Sequence, residues 1–326
     1  MTRFAIVGGG AWGTALGCLY ARAGHHTVLY ARDAETVAGI NRDRLNPRYL
    51  PEIDLPDSLA ATSDPAEALA GADIVLFVVP AQSLSVATAE LDGLVPPGAL
   101  AVLCAKGIER GTGRFASQIF SQAQPAQPLA VLSGPSFAAD VARGLPTAVT
   151  IAAGEPALAD RAARLLSTET FRCYAASDVV GVEAGGALKN VLALAAGAVV
   201  GRGLGASAQA AIITRGFVEL RRLGAALGGQ PETLMGLSGL GDLVLTCSSP
   251  QSRNFAYGMA LGRGDDRFGL KLAEGVFTAE IAARLARDLG IDAPIIATVA
   301  AILSGDLDVD AAVQSLLARP LKREFD

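Results

Sequence analysis

Histidine is almost missing from this chain. Two occur among 326 residues, His25 and His26, side by side between an expected first helix and second strand. Neither stands where chemistry is expected. That argues against mechanisms built on a histidine base, including Ser-His-Asp hydrolysis and histidine-dependent oxidation of 2-hydroxy acids. Proton transfer then falls to lysine, a carboxylate, tyrosine or water. Cysteine is sparse as well. Cys18, Cys104, Cys173 and Cys247 lie far apart, and no C-x-x-C pair exists. Neither a metal site nor a disulfide framework is expected, and a reducing, cytoplasmic setting fits. Charged residues make up only 18%, with a net charge of -5. This argues against a nucleic-acid or anionic-membrane surface, while leaving room for a local basic pocket. No leader pattern precedes the first strand. The longest apolar stretch, 191–201, reads as a buried helix too short to span a bilayer, so stable membrane insertion is not expected.

Apolar residues, in contrast, reach 51%, and the length suits two domains with a large core. The first half alternates. Strands are expected over 3–7, 27–31, 74–79, 100–104, 129–132, 148–152 and 171–174, with a helix over 12–23. Asp64-Pro65-Ala66-Glu67 reads as a helix start with a cap, a first-turn proline and a capping-box carboxylate, closed by Gly71. Such alternation implies an α/β fold with a Rossmann-like, doubly wound, mainly parallel sheet. From about Asp178 only helical segments follow, several ending at Gly228, Gly290 or Gly305. The expected division is a dinucleotide-binding domain at 1–177 and an all-helical substrate domain at 178–326.

Behind the first strand stands Gly8-Gly9-Gly10-Ala11-Trp12-Gly13, a G-x-G-x-x-G at a strand-to-helix junction. Gly8 lets the chain turn, Gly10 lets the backbone approach a pyrophosphate, and Gly13 lets the helix pack closely. The helix amides and dipole face the phosphates. The alternative is a tight turn of some other α/β fold.

Ligands on such sheets bind beyond the carboxyl ends of the strands. After the second strand, Ala31 stands where an NAD-preferring site usually carries an acid, and Arg32 follows. A guanidinium there suits a 2′-phosphate, which favours NADP, with NAD as the alternative. A solvated arginine beside Asp33 is the plainer reading. Lys106 ends another strand and points into the crevice or lies in a surface loop. Ser133-Gly134-Pro135-Ser136-Phe137-Ala138 offers free amides and the Ser136 hydroxyl to a ligand, or Ser136 merely caps a helix.

Lys189, in Gly185-Gly186-Ala187-Leu188-Lys189-Asn190, is the sole cation between Arg172 and Arg202. Burial would lower its pKa toward neutrality, unless it snorkels to solvent. The paired glycines allow close approach of another backbone or a cofactor. Asp242 either caps a helix or orients a catalytic lysine. Ser252-Arg253-Asn254 at a helix start makes a phosphate-monoester site, or an N-cap beside a surface arginine.

Taken in order, these segments resemble the bacterial NAD(P)-dependent glycerol-3-phosphate dehydrogenase family over essentially the whole chain. The glycine turn, Lys106-Gly107, 133–138, 185–190, 239–247, Ser252-Arg253-Asn254 and Glu274-Gly275 carry the likeness, with 46–51 as the loop before the third strand. The resemblance implies reversible reduction of dihydroxyacetone phosphate to sn-glycerol 3-phosphate for phospholipid synthesis, in a site between the two domains. It implies cofactor contacts at Ala11, Trp12, Arg32, Lys106, Ala138, Arg253, Leu272 and Glu274. Substrate contacts are implied at Lys106, Gly134, Ser136, Lys189, Asp242, Ser252, Arg253 and Asn254. Lys189 would transfer the proton, Asp242 would hold Lys189, and Lys106 would add positive potential. Two positions depart from the usual pattern. Ala11 replaces a small hydroxyl, a loss of ~1 kcal/mol of cofactor binding, and Leu272-Ala273 replaces two valines.

Two other readings compete. One is a related 3-hydroxy acid or sugar-acid dehydrogenase with a helix-borne lysine. The other is a nucleotide sensor without turnover, which has little need for Lys106, Lys189 and Asp242 together. Ser252-Arg253-Asn254 with Asp242 suits a phosphate better than a carboxylate. The apolar helical half suits a homodimer.

Overall fold

The computed structural model describes residues 1–266, 269, 270 and 272–320. Its first part is one eight-stranded sheet: β1 (Arg3–Val7), β2 (His26–Tyr30), β3 (Leu59–Thr62), β4 (Ile74–Phe77), β5 (Leu100–Leu103), β6 (Leu129–Ser133), β7 (Thr147–Ala152) and β8 (Phe171–Ala176). The spatial order is β3-β2-β1-β4-β5-β6-β7-β8. Neighbours are parallel except β6 and β7, so β7 and β8 run against the other six. The helices of this part are α1 (Ala11–Arg22), α2 (Ala34–Ala38), α3 (Pro65–Leu69), α4 (Leu84–Glu90), α5 (Ala116–Ala123), α6 (Ala138–Ala142) and α7 (Pro156–Leu166).

Strand β1 shows why the sheet is covered twice. Phe4 and Ile6 enter the apolar cluster beneath α1 and α7, while Ala5 and Val7 enter the one beneath α4 and α5. An all-apolar strand of period two needs a helix layer on each face. The chain order reverses between β1 and β4. The crevice at their carboxyl ends is the place where such sheets take ligands.

One expected detail is different. Asp64 does cap α3, accepting from the Ala66 N–H at 2.8 Å. Glu67, however, does not close a capping box. Its carboxylate accepts from the Thr62 hydroxyl (2.5 Å), and that hydroxyl accepts from the Asp64 N–H (3.1 Å). Thr62, the last residue of β3, relays the bond that a capping box makes directly.

After β8 the described residues form helices only: α8 (Val179–Gly201), α9 (Ala206–Ala226), α10 (Pro231–Leu234), α11 (Asp242–Thr246), α12 (Arg253–Arg263), α13 (Glu274–Asp288), α14 (Pro294–Ser304) and α15 (Val309–Leu317). Helix α8 is the axis against which α9, α12 and α13 pack. It is longer than the apolar stretch suggested. Its 23 residues are long and apolar enough to cross a membrane, but 83% of its most apolar window is buried inside the protein. Its last turns carry Gly197 and Gly201, facing Gly258 and Gly262 of α12. A Cβ on Gly197 would stand 2.1 Å from the Phe255 carbonyl oxygen, and one on Gly258 would stand 2.2 Å from that of Leu194. The two backbones touch because neither helix has side chains there.

Candidate active site

The glycine turn behaves as its spacing predicts. Gly8 has φ +123°, and a Cβ on it would lie 2.4 Å from the Val78 carbonyl oxygen. A Cβ on Gly13 would lie 1.9 Å from the Gly8 carbonyl oxygen, so it is the turn itself that α1 packs against. Around Gly10 no protein atom comes within 4 Å of a Cβ position, which is the open approach a pyrophosphate requires. Ala11 and Trp12 begin α1. The Trp12 ring stands 6.5 Å from that of Phe171, and its indole N–H lies beside the Cys104 sulfur. Asn46, a buried residue, pins the turn by donating to the Gly9 carbonyl (3.1 Å) and the Thr14 hydroxyl (2.8 Å). No local pattern in the sequence assigns that role.

Other strand ends line the same edge. Ala31 is buried and Arg32 exposed at the end of β2. Asp33 does not pair with Arg32. It caps α2 through Glu35, accepts from Thr36 and lies 3.8 Å from Arg48. At the end of β6, the Ser136 hydroxyl turns back to the Gly134 carbonyl (3.1 Å). It does not cap α6, whose first flanking residue is Phe137. Ala138 opens α6 and packs on the sheet cluster.

The lysines meet at Asp242. Lys189 is buried, not snorkelled, and its Nζ lies 2.5 Å from Asp242 Oδ1. Lys106 reaches the other oxygen, Oδ2, at 2.7 Å and also donates to the Gly134 carbonyl at 2.9 Å. Asp242 is the first residue of α11, but Gly241 is the capping position, so its carboxylate serves the lysines. Thr246, one turn later, completes the set. Its hydroxyl donates to the Asp242 carbonyl (2.6 Å) and accepts from Lys189 Nζ (2.7 Å). Two of the three ammonium protons of Lys189 are thereby committed, and one is left for a ligand. Burial lowers the Lys189 pKa to about 8. Asp242 pulls it back up, and the charge of Lys106 lowers it further. This is the range in which an amine exchanges protons.

The paired glycines of α8 explain how the lysine is carried there. A Cβ on Gly185 would lie 2.9 Å from the Ser238 carbonyl oxygen, in the π-helical turn Leu237–Gly241 that leads to Asp242. A Cβ on Gly186 would lie 2.7 Å from the Ser133 hydroxyl at the end of β6. The close neighbours are thus protein on both sides, one turn before Lys189.

The Ser252 hydroxyl caps α12 by accepting from the Phe255 N–H at 3.2 Å. Arg253 is exposed and Asn254 buried. Glu274, first in α13, accepts from the Ala81 N–H at 3.3 Å, and its Oε2 is buried without a partner. Burial raises its pKa, opposed by the Ala81 bond and by the charge of Arg253. Arg253 and Glu274 are thus electrostatic neighbours on opposite helices. Leu272 is exposed. Among the described residues no cluster of His, Cys, Asp and Glu could hold a metal ion.

Known proteins resemble this chain over nearly its whole length. A family model described as the NAD-dependent glycerol-3-phosphate dehydrogenase N-terminus matches residues 3–159, and the corresponding C-terminus model matches 178–314. A Brucella canis protein named glycerol-3-phosphate dehydrogenase (NAD(P)+) is 59% identical over 323 residues, covering 99% of each chain. One of that name from Mesorhizobium japonicum is 62% identical, covering 99% of this chain and 94% of its own. The crystal structure of glycerol-3-phosphate dehydrogenase from Coxiella burnetii superposes with a TM-score of 0.92 at 38% identity, covering 98% of this chain and 99% of that one. With both halves matched in order, the chain belongs to the NAD-dependent glycerol-3-phosphate dehydrogenase family.

Proposed function

We propose that this chain catalyses the NAD(P)H-dependent, reversible reduction of dihydroxyacetone phosphate to sn-glycerol 3-phosphate, the backbone of phospholipids. The observation that carries the chemistry is the buried Lys189–Asp242–Lys106 cluster. When bound, the nicotinamide coenzyme supplies the hydride to C2 of the ketone. The glycine turn, Trp12 and Ala138 would hold it, with Arg32 at a 2′-phosphate, and Arg253, Leu272 and Glu274 from the helical side.

Lys189, as ammonium, donates its uncommitted proton toward the carbonyl oxygen as negative charge develops there. In the reverse direction the neutral amine takes that proton back. Asp242 holds both lysines in place, and Lys106 adds positive potential beside the same oxygen. Gly134, Ser136, Ser252, Arg253 and Asn254 bind the rest of the substrate. Binding energy from the remote phosphate thereby orients C2. The phosphate set Ser252-Arg253-Asn254 favours this substrate over 3-hydroxy or sugar acids. We assign residues 1–177 to coenzyme binding and 178–326 to substrate binding, in a cytoplasmic homodimer.

The test is direct. Loss of NADPH absorbance on adding dihydroxyacetone phosphate is expected, with higher kcat/KM for NADPH than for NADH. Absence of oxidation with either coenzyme would reject the reading.

A further inference from the structure

The head of Lys106 is fixed by Gly134 and Asp242. Its backbone is fixed separately, by a row of buried amides that includes the phosphate-site residue Asn254. The Gly275 N–H donates to Asn254 Oδ1 (2.9 Å), Asn254 Nδ2 donates to Asn190 Oδ1 (2.9 Å), and Asn190 Nδ2 donates to the Lys106 carbonyl (2.9 Å). Both asparagines are buried. The direction of the row is forced. A backbone N–H can only donate and a carbonyl can only accept, so the two ends dictate how each amide is turned. Flipping either one sets like groups face to face away from water, which is costly. The row runs from α13 through α12 and α8 to the loop after β5.

Its far end touches the same loop a second way. Gly275 lies so close to α8 that a Cβ would stand 2.4 Å from the Asn190 carbonyl oxygen. The unpartnered Oε2 of neighbouring Glu274 lies 3.0 Å from where a Cβ on Gly107 would be. The start of α13 therefore meets the loop at Gly107 through Glu274 and at Lys106 through the amides. Hydrogen bonds in such a buried, fully satisfied row strengthen one another and hold its members rigidly.

We propose that Asn190 and Asn254 couple the coenzyme end of the site to its substrate end. They are positioning residues: they transmit the placement of the α13 N-terminus to Lys106, so that coenzyme and phosphorylated substrate bind cooperatively. The inference rests on the reading that coenzyme lies against Glu274 and the triose phosphate against Lys106. Asn254 retains one further N–H for the phosphate, so the two roles are compatible.

NADPH and sn-glycerol 3-phosphate are both reduced, so they form a dead-end pair whose binding can be read without turnover. Trp12 is the only tryptophan and reports NADPH binding by fluorescence. The measurement is the NADPH affinity of the full chain with and without saturating sn-glycerol 3-phosphate. In the wild type the ratio should be about 5-fold or more, the lower range of ordinary coupling. Asn190→Asp places an acceptor against the Lys106 carbonyl while keeping one for Asn254. It should bring the ratio to within about 2-fold of one, with NADPH alone binding nearly as in the wild type. Asn254→Asp should lower the ratio similarly, and the double variant should lose no more than either single variant. Asn190→Ser serves if Asn190→Asp does not fold. A wild-type ratio of one overturns the proposal without any variant. So does an unchanged ratio in the Asn190 variants, or single effects that add in the double variant. NADPH oxidation by dihydroxyacetone phosphate, assayed alongside, separates the two failures. No turnover in the wild type rejects the functional reading, whereas turnover with a ratio of one rejects the coupling alone.

Discussion

Lys189 and Lys106 share one carboxylate, each ammonium taking a different oxygen of Asp242, at 2.5 and 2.7 Å. Two cations at one buried anion leave a net positive site. That suits a substrate with a dianionic phosphate and a carbonyl oxygen that gains charge. Lys189 is the more enclosed of the two, with its side chain 6% exposed against 20% for Lys106, which matches a proton donor shielded from water.

Replacing Lys189 with methionine keeps the apolar stem and removes the amine. We expect kcat to fall at least ~100-fold, the low end for loss of general acid–base catalysis. NADPH should still bind, as read by Trp12 fluorescence. Near-normal turnover in Lys189→Met would remove this residue from the chemistry.

The depressed Lys189 pKa sets the pH profiles. Ketone reduction needs the ammonium form, so kcat for reduction should decline as pH rises through about 8. Alcohol oxidation needs the free amine and should rise over the same interval. Rate–pH curves in both directions check this, and parallel curves would contradict it.

Arg253 is exposed and opens α12, free to meet a phosphate at the helix N-terminus. Arg253→Ala should raise KM for dihydroxyacetone phosphate at least ~10-fold, the loss of a charge-assisted pair. Steady-state kinetics at saturating NADPH decide it: an unchanged KM takes Arg253 out of the phosphate site.

Glu219 is buried on α9 and accepts from the first amides of α14, Ile295 (2.8 Å) and Ile296 (3.0 Å). Burial pushes its pKa up to about 7 despite those bonds. A raised folded-state pKa means the group stabilises fully below its ordinary value, and this contribution is lost as pH rises through about 7. The Tm gap between wild type and Glu219→Gln should therefore be widest near pH 5 and narrow toward pH 8. Thermal melts at both pH values test the sign, and a gap that widens with pH refutes it.

Much of this architecture was legible in the sequence. Continuous apolar runs mark β1, β4 and β5, because a doubly covered strand has no polar face. G-x-G-x-x-G marks the turn, because only glycine tolerates the approaches at Gly8 and Gly13. Lys189 was visible as a lone cation in an apolar helix, but its burial was not, since a lysine stem serves snorkelling equally well. Strand β3, sequence LAAT, has no apolar run to betray it, and it is absent from the strands the sequence predicts. Thr246 follows Asp242 by one helical turn, a spacing that could have flagged it. Asn190, Asn254 and Asn46 act through partners distant in the chain. Hydrogen bonding of that kind leaves no periodic trace, and short-range spacing has nothing to read.

The bare crossing of α8 and α12 has a consequence for how this enzyme can diversify. With main chain lying on main chain at Gly197 and Gly258, no methyl group can be added or trimmed to tilt the rod that bears Lys189. Selection acting on substrate choice must therefore work at the rims, in the segments around residues 133–138, 237–241 and 249–254, while the central strut stays frozen in shape.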